Sequence, residues 1–179
     1  MSRIQKLKIE EAPEKSQHLL KAVKQNLGKV PNVFGVMAHS SVALESYLQT
    51  SETLKGGQLS GKEREQIAMA VAGQNSCEYC VAAHGVLGKL SGLSQSEMSR
   101  NLAAESEDQA ASAILKFVVE VMHEKGQVST ERISALRELG IDDGKIVEIV
   151  ANVAFNIFTN YLNQVAKTEM DFPAFPRKS

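Results

Sequence analysis

The two cysteines of the chain, Cys77 and Cys80, stand three positions apart, and His84 follows four positions after the second. Two thiols at this spacing can close a disulfide, and a histidine one helical turn away can accept a proton from one of them. Glu65 precedes Cys77 with eleven residues between them. These residue types suit thiol redox chemistry, which uses a nucleophilic sulfur, a second sulfur, a base and a carboxylate that orients the base.

Start and stop signals predict that the cysteines begin a helix. Ser60 followed by Glu63 is the pattern of a capping box, which predicts a helix extending to about Ala72. A turn cluster of glycine, glutamine, asparagine and serine follows. Its last residue, Ser76, is a favourable N-cap for a second helix whose first residue is Cys77.

The short turn predicts that these two helices pack as antiparallel neighbours. Glu65 and His84 are equidistant from the middle of the turn, so they should lie level across the hairpin. Glu65 could then orient or charge His84, and His84 could deprotonate Cys80. This predicted relay from carboxylate to imidazole to thiol follows the logic of an activated nucleophile.

Simple electrostatics leaves the identity of the nucleophilic cysteine open. An unperturbed thiol with a pKa of about 8.5 is only a few per cent thiolate at neutral pH. A helix N-terminus stabilises a nearby anion by about 0.3–2 kcal/mol, which lowers a pKa by at most about 1.5 units. That dipole favours Cys77, the expected first helical residue, whereas His84 favours Cys80.

Two other interpretations of these residues stay open. The cysteines could be small apolar core residues beside a histidine with a structural hydrogen bond. They could also bind zinc together with His84, and the fourth ligand would then be Glu65 or a distant residue such as His39. A c-type haem does not fit, because Val81 stands where the haem-binding histidine would follow the second cysteine.

The remaining segments predict helices as well, and none shows the sustained alternation that is typical of strands. Pro13 and Gly28 bracket a first helix. A short helix and then a longer one ending at Gly56 are expected after Pro31. Another is expected after Ser94, and a further one ends before Gly126. The last two are expected from Ser129 or Thr130 to Gly140 and from Asp142 to Lys167. The sequence therefore predicts an all-α protein.

Composition excludes several classes of partner. The 179 residues include 20 basic and 21 acidic side chains, for a net charge of −1, and contain no basic run suited to a nucleic acid. The first 16 residues are charged and lack an apolar core, so they are not expected to be a secretory signal, and no apolar stretch reaches the roughly 20 residues that span a bilayer. We expect no membrane association and a cytoplasmic location, where a Cys-x-x-Cys pair is more often catalytic or metal-binding than structural.

The pattern of Glu65, Cys77, Cys80 and His84 resembles the signature of the alkylhydroperoxidase D-like, carboxymuconolactone decarboxylase superfamily. The resemblance runs from about residue 31 to the C-terminus. Further similar segments are residues 64–71, residues 152–163 and the ending Asp171-Phe172-Pro173. The resemblance implies an all-α, alkylhydroperoxidase D-like helical bundle in which a central antiparallel helical hairpin carries the cysteines.

The expected domain organisation has three parts. Residues 1–30 are predicted to form an N-terminal helical extension, and residues 31–170 the helical domain. Residues 171–179 are predicted to form an extended tail that could wrap a neighbouring subunit. The long apolar helix from Ile146 to Leu162 is a candidate for a subunit interface, and the resemblance implies a homo-oligomer such as a trimer, dimer or hexamer.

The resemblance also implies the roles of the site residues. In this family peroxide oxidises the second cysteine, here Cys80, to a sulfenic acid, and the first, here Cys77, resolves it into an intramolecular disulfide. His84 would be the base and Glu65 its partner, with no cofactor and no metal. The implied function is thiol-dependent reduction of hydrogen peroxide or organic hydroperoxides, with an external dithiol as the reductant.

One position departs from the family pattern. Tyr79 stands directly before the second cysteine, where the best-known alkylhydroperoxidases have a histidine. Decarboxylase members generally lack the cysteine pair, so its presence disfavours lactone decarboxylation. Reduction of a partner's disulfide, or redox sensing by a helical protein without turnover, are the alternative functions.

Three further polar residues are weighed as part of the site. His39 lies near the predicted hairpin and could border the pocket. Asn156 and Asn160 are one turn apart on an otherwise apolar helix. Because a buried asparagine needs hydrogen-bond partners, the two are expected either to line the site or to tie helices together.

Overall fold

The structure, a computed structural model, describes residues 1–176, and every regular element in that range is helical. The predicted all-α fold class is confirmed. None of the helices described is long and apolar enough to cross a membrane. A 3₁₀ helix at Ile9–Glu11 precedes α1 (Glu14–Leu27), α2 (Asn32–Met37), α3 (Ser41–Lys55), α4 (Gly61–Gln74), α5 (Glu78–Leu90), α6 (Gln95–Leu102), α7 (Gln109–His123), α8 (Thr130–Glu138) and α9 (Asp143–Ala166).

Helix α4 lies at the centre of the fold. Every residue from 66 to 72 is buried, including the polar Gln66. A helix that is buried on all sides must have neighbours on all sides, and α4 packs against α5, α6, α7 and α9. The first half of the predicted hairpin is therefore also the central element of the bundle.

Two main clusters of buried side chains hold the helices together. The Phe117 core joins α4 to α7, α8 and α9. Its members are Leu59, Ile67, Ala70, Val71, Ala104, Ile114, Leu115, Phe117, Val118, Leu136, Ile141, Ile146, Ile149 and Val153. The cysteine core joins the hairpin to α1, α2 and α3, and its members are Ala12, Leu20, Val33, Met37, Ala38, Leu44, Ala72, Cys77, Tyr79, Cys80 and Val81.

Most predicted helix caps are present. Ser60 and Glu63 form the expected capping box at the start of α4. At α6 the prediction is only half right. Ser94 accepts the backbone N–H of Glu97 at 3.1 Å, but the Glu97 carboxylate is used elsewhere. It accepts hydrogen bonds from Gln66, Asn101, Ser106 and the backbone of Glu107.

The C-terminal segment folds back onto its own chain. The Phe172 ring meets Tyr79 edge-on, with ring centroids 5.6 Å apart. Phe175 packs so closely on α5 that a Cβ at Gly85 would lie 2.6 Å from its ring, so a larger residue at that position would push the ring away. The described part of the tail, expected to wrap a neighbouring subunit, therefore packs on α5, and the rest of the predicted 171–179 tail lies outside the described residues.

Candidate active site

The cysteines lie at the start of α5, but one position away from the predicted register. Cys77 is the N-cap and Cys80 the third helical residue, rather than the first and fourth. Ser76 is not the N-cap, because its backbone φ of +52° lies in the left-handed region. Its conformation belongs to the end of α4, where the Cys77 N–H bonds to the Ala72 carbonyl at 3.0 Å.

Cys77 and Cys80 form a close and buried pair. Their Cα atoms are 5.3 Å apart and their sulfur atoms lie within disulfide-bonding distance. The Cys77 sulfur also accepts the backbone N–H of Cys80 at 3.4 Å. The two residues are only 2% and 3% exposed. This arrangement fits a Cys-x-x-Cys redox function.

Glu65 on α4 and His84 on α5 meet across the hairpin. His84 Nδ1 lies 2.8 Å from Glu65 Oε2, and both side chains are largely buried. The predicted juxtaposition is confirmed, while the catalytic roles of the two residues stay a prediction. A carboxylate at this distance favours the tautomer with a proton on Nδ1, which leaves Nε2 free to act as a base.

The side-chain hydrogen bond to Cys80 comes from a residue that sequence reasoning missed. Asn163 Nδ2 lies 3.4 Å from Cys80 Sγ. Within residues 1–176, the hydrogen bonds found at this sulfur do not include one from His84. A disulfide-bonded sulfur has no proton to transfer, so the predicted relay from thiol to imidazole belongs to the reduced protein.

Asn163 is part of a buried polar stripe on α9 with Asn152, Asn156 and Asn160. Asn156 donates to the Asn152 carbonyl of its own helix at 2.9 Å and lines a cavity beside the site. Asn160 accepts a 3.0 Å hydrogen bond from Asn75 and so ties α9 to the end of α4. Of the two roles weighed for Asn156 and Asn160, Asn156 therefore lines the cavity and Asn160 ties two helices together. The four asparagines are separated by four, four and three residues, which places them on one face of the helix, and this spacing could have identified Asn163 from the sequence.

A cavity of about 770 Å³ opens beside the Glu65–His84 pair. The Tyr47 and Phe155 rings stack in its wall, with centroids 4.6 Å apart, and Phe34 packs against Tyr47. Of the residues described, neither cysteine lines it, so Glu65 and His84 are the part of the site that faces the cavity. Its size and aromatic wall suit a small organic molecule.

Tyr47 is a second residue that sequence reasoning missed. Burial, reinforced by the negative charge of Glu65, raises the pKa of Tyr47 to about 12. The hydroxyl therefore keeps its proton at neutral pH and can donate a hydrogen bond to an oxygen atom in the cavity. Its place among the apolar residues of α3 made it look like a core residue only.

Tyr79 has a packing role in this chain. Its hydroxyl donates to Asp171 Oδ1 at 2.6 Å and accepts the backbone N–H of Val33 at 3.2 Å. Burial, together with the Asp171 hydrogen bond, raises the pKa of Tyr79 far above its ordinary value. The phenol is held neutral between the tail and the start of α2. The position at which the best-known alkylhydroperoxidases carry a histidine is here a structural one.

His39, weighed as a further site residue, lies elsewhere. Its Nε2 is 2.8 Å from the backbone carbonyl of Gln5, and it does not line the cavity. Of the zinc ligands considered above, His84 and Glu65 meet, whereas His39 lies apart from them against the Gln5 carbonyl. Within residues 1–176, no group of three or more His, Cys, Asp and Glu side chains is arranged to hold a metal ion.

Comparison with known proteins places this site in context. Residues 43–124 match the model of the carboxymuconolactone decarboxylase family. This range includes Glu65, both cysteines and His84. A search of curated proteins finds no match.

Solved structures resemble the whole chain. An uncharacterized peroxidase-related protein from Ralstonia eutropha JMP134, with an alkylhydroperoxidase AhpD core, is 26% identical with a TM-score of 0.86, over 95% of this chain and 92% of that one. A peroxidase-related protein from Silicibacter sp. TM1040 is 25% identical with a TM-score of 0.82, over 97% and 95%. A debrominase in complex with 2,3,4-tribromopyrrole is 17% identical with a TM-score of 0.78, over 94% and 91%, and shares the fold.

Proposed function

We propose that this chain, which belongs to the alkylhydroperoxidase D-like, carboxymuconolactone decarboxylase superfamily, is a thiol-dependent peroxidase. One observation carries the proposal. A cysteine pair at disulfide-bonding distance begins the same helix that holds His84 2.8 Å from Glu65. A redox-active sulfur pair next to an oriented base is what reduction of a peroxide by thiols requires.

The proposed cycle has three steps. His84 accepts the proton of Cys80, and the thiolate attacks the terminal oxygen of a hydroperoxide, so that an S–O bond forms and the O–O bond breaks. The protonated His84 gives its proton to the alkoxide, which leaves as an alcohol, and Cys80 becomes a sulfenic acid. The Cys77 thiol then attacks that sulfur and releases water, which leaves the disulfide. An external dithiol reduces the disulfide and is itself oxidised.

The cavity supports an organic hydroperoxide as the preferred substrate. Because Cys80 does not line the cavity, the organic part would lie in it while the O–O group extends beyond its wall to the sulfur. A volume of about 770 Å³ is far larger than hydrogen peroxide needs and lies within the range of pockets for small organic ligands. The wall formed by Tyr47, Phe155 and Phe34 would bind an apolar or aromatic substituent. Hydrogen peroxide makes no use of that wall, so we expect it to be the poorer substrate.

The burial of the sulfurs weighs against reduction of a partner protein's disulfide. Exchange requires an attacking thiolate to meet the target sulfur directly. Residues that are 2% and 3% exposed are difficult for a macromolecular disulfide to approach. A hydroperoxide and a small dithiol are better matched to this site.

We also propose that the protein is a homo-oligomer. Helix α9 exposes an apolar seam whose members are separated by four and three residues in alternation, which is the spacing of a coiled-coil contact. The seam consists of Val147, Ala151, Ala154, Phe158, Tyr161 and Val165. A second copy of the chain is the partner we propose for it, and light scattering after size-exclusion chromatography tests this.

Peroxide consumption with dithiothreitol or dihydrolipoamide tests the proposed activity. The wild type should consume cumene hydroperoxide faster than hydrogen peroxide, with a chelator present to exclude metal-catalysed loss. Cys80→Ser should abolish turnover. Cys77→Ser should leave a sulfenic acid on Cys80 that dimedone traps and mass spectrometry locates.

Two results would contradict the proposal. Full activity in Cys80→Ser would exclude Cys80 as the peroxidatic residue. A wild type in which one equivalent of peroxide forms the Cys77–Cys80 disulfide, but in which dithiol supports no turnover, would instead be a redox sensor.

A further inference from the structure

The two sulfurs differ in the origin of their hydrogen-bond donors. Cys77 Sγ accepts the backbone N–H of Cys80, a donor that the N-cap position itself supplies. Cys80 Sγ accepts a side-chain N–H of Asn163, which comes from α9, 83 residues further along the chain. Any residue at position 80 except proline would keep the first hydrogen bond, whereas the second depends on Asn163.

We infer that Asn163 is a further catalytic residue, whose amide N–H stabilises the thiolate of Cys80 and so selects Cys80, rather than Cys77, as the attacking sulfur. The inference rests on the proposed thiol chemistry. It decides which cysteine is the nucleophile, because the helix dipole favours Cys77 whereas His84 favours Cys80. Asn163 contacts the reacting atom and belongs to this chain's own site.

The burial of Cys80 makes such a donor necessary. A thiolate in apolar surroundings loses its hydration, which raises the pKa of the thiol, and a hydrogen bond to the charged form lowers it. Cys80 lies in the cysteine core among apolar side chains. Asn163 is itself 5% exposed, so water does not compete strongly for its N–H. Because an amide does not titrate, the donor is present at every pH at which the protein folds.

The amide oxygen of Asn163 gives the inference a second, independent support. Within the described residues, its Oδ1 is buried and has no hydrogen-bond partner. A buried acceptor beside a nucleophile needs an explanation, and a hydroperoxide supplies one, because its O–H is a donor. The O–H would donate to Oδ1 while the thiolate attacks that same oxygen. The hydrogen stays on the transferred oxygen and becomes that of the sulfenic acid, and the electron pair leaves with the alkoxide.

The remainder of the stripe on α9 holds Asn163 in place. Asn160 is fully buried and bonds Asn75 at the end of α4, and Gln164 donates to the Asn75 carbonyl. These contacts fix α9 against the turn that precedes the cysteines. They thereby hold the helix that carries Asn163 next to the start of the helix that carries Cys80.

Thiol pKa values in full-length variants test the inference without any peroxide. Cys77→Ser and Cys80→Ser each leave one thiol, whose pKa follows from the rate of iodoacetamide alkylation against pH. In the Cys77→Ser background, Asn163→Ala should raise the pKa of Cys80 by about one unit, which slows alkylation about tenfold at pH values below it. Asn163→Asp, which has nearly the same shape but adds negative charge, should raise it further. In the Cys80→Ser background, Asn163→Ala should leave the pKa of Cys77 unchanged, and the charge of Asn163→Asp should raise it less than it raises the pKa of Cys80.

Asn101→Ala is the control, since it removes a buried asparagine from α6 whose hydrogen bonds go to Glu97 and Glu105 and to neither sulfur. It should lower the melting temperature and leave the pKa of Cys80 unchanged. An unaltered Cys80 pKa in folded Asn163→Asp, or an equal shift at Cys77, would overturn the inference. Neither result bears on whether the wild type turns over peroxide, so failure of this inference and failure of the proposed function are distinguishable.

Discussion

The Phe117 core and the cysteine core bury side chains equally well but are assembled differently. The Phe117 core contains only apolar residues, all of them between positions 59 and 153. The cysteine core combines the N-terminal segment with the hairpin and packs against Phe172 and Phe175 of the tail. It alone encloses the two sulfurs and the Tyr79 phenol.

This difference shows where the fold places reactive groups. The polar contacts of the cysteine core join residues that are far apart in the sequence, such as Tyr79 with Asp171 and Cys80 with Asn163. The Phe117 core maintains the bundle, whereas the cysteine core also sets the environment of the two cysteines. Damage to the first should therefore cost stability alone, and damage to the second should cost stability and alter the thiols.

A pair of matched substitutions tests this distinction most strongly. Leu115 in the Phe117 core and Leu44 in the cysteine core are both fully buried, so replacing either by alanine should cost about 2–5 kcal/mol of unfolding free energy. Only Leu44→Ala should also speed reduction of the Cys77–Cys80 disulfide by dithiothreitol, because the space left by the missing side chain would lie in the cluster that contains the two cysteines. Urea unfolding and disulfide reduction rates measure the two effects. Equal reduction rates in both variants would remove the distinction.

The next largest effect is expected at the Glu65–His84 pair. His84→Gln removes the proposed base, and we expect peroxide turnover to fall about a hundredfold, at the lower end of general-base effects. Stability should change little, since the pair is not part of either core. Glu120→Gln is the control, because Glu120 of α7 pairs with Arg132 of α8, neither residue lines the cavity, and its loss should leave turnover as it is. Unchanged kcat in His84→Gln would show that another group takes the proton.

A smaller effect is expected at Tyr79. Tyr79→Phe removes the hydrogen bonds to Asp171 and to the backbone of Val33, and the loss should cost about 1–3 kcal/mol because a buried N–H is left unsatisfied. The tail should also loosen, which hydrogen exchange of residues 171–176 would detect. If Tyr79→Phe weakened neither the fold nor the tail, the phenol would not be the connection described above.

The smallest expected effect is a pH dependence of stability that comes from Glu97, a residue outside both cores. Burial alone would raise the pKa of Glu97, but hydrogen bonds from Ser106, Asn101, the backbone of Glu107 and Gln66 more than offset it and lower the pKa. A carboxyl with a depressed folded-state pKa contributes stability that is present above its unfolded-state pKa and is lost as pH falls through the folded-state pKa. After solvent screening is taken into account, we expect this to amount to about 1 kcal/mol or less. Acid titration of the unfolding free energy should be flatter in Glu97→Gln, and identical curves would contradict the assignment.

Local sequence was sufficient for the hairpin and its Glu65–His84 pair. Glu65 and His84 meet because both lie at matching distances from one short turn, and counting along two helices predicts that contact. Caps such as Ser60 depend on neighbours three residues away and were read correctly for the same reason. The register of the cysteines was wrong by one position, because the left-handed conformation of Ser76 arises from the way α4 ends rather than from a preference of serine.

The residues that were missed share one cause. Tyr47 and Asn163 lie on helices that resemble core elements in sequence, and their functional position depends on which helix packs opposite them. Asn163 is 83 residues from Cys80, so no local period connects the two. Tyr47 becomes part of the cavity wall only because α9 places Phe155 against it.

The amino-acid order thus dictates the helices, the hairpin and the four residues of the Glu-Cys-Cys-His pattern, since these depend on contacts within about one or two helical turns of a cap or a turn. The packing of α9 and the tail against the hairpin settles the burial of the sulfurs, the donor that reaches Cys80 and the cavity beside His84. Those properties depend on the simultaneous fit of many side chains from distant segments, which one-dimensional spacing does not encode.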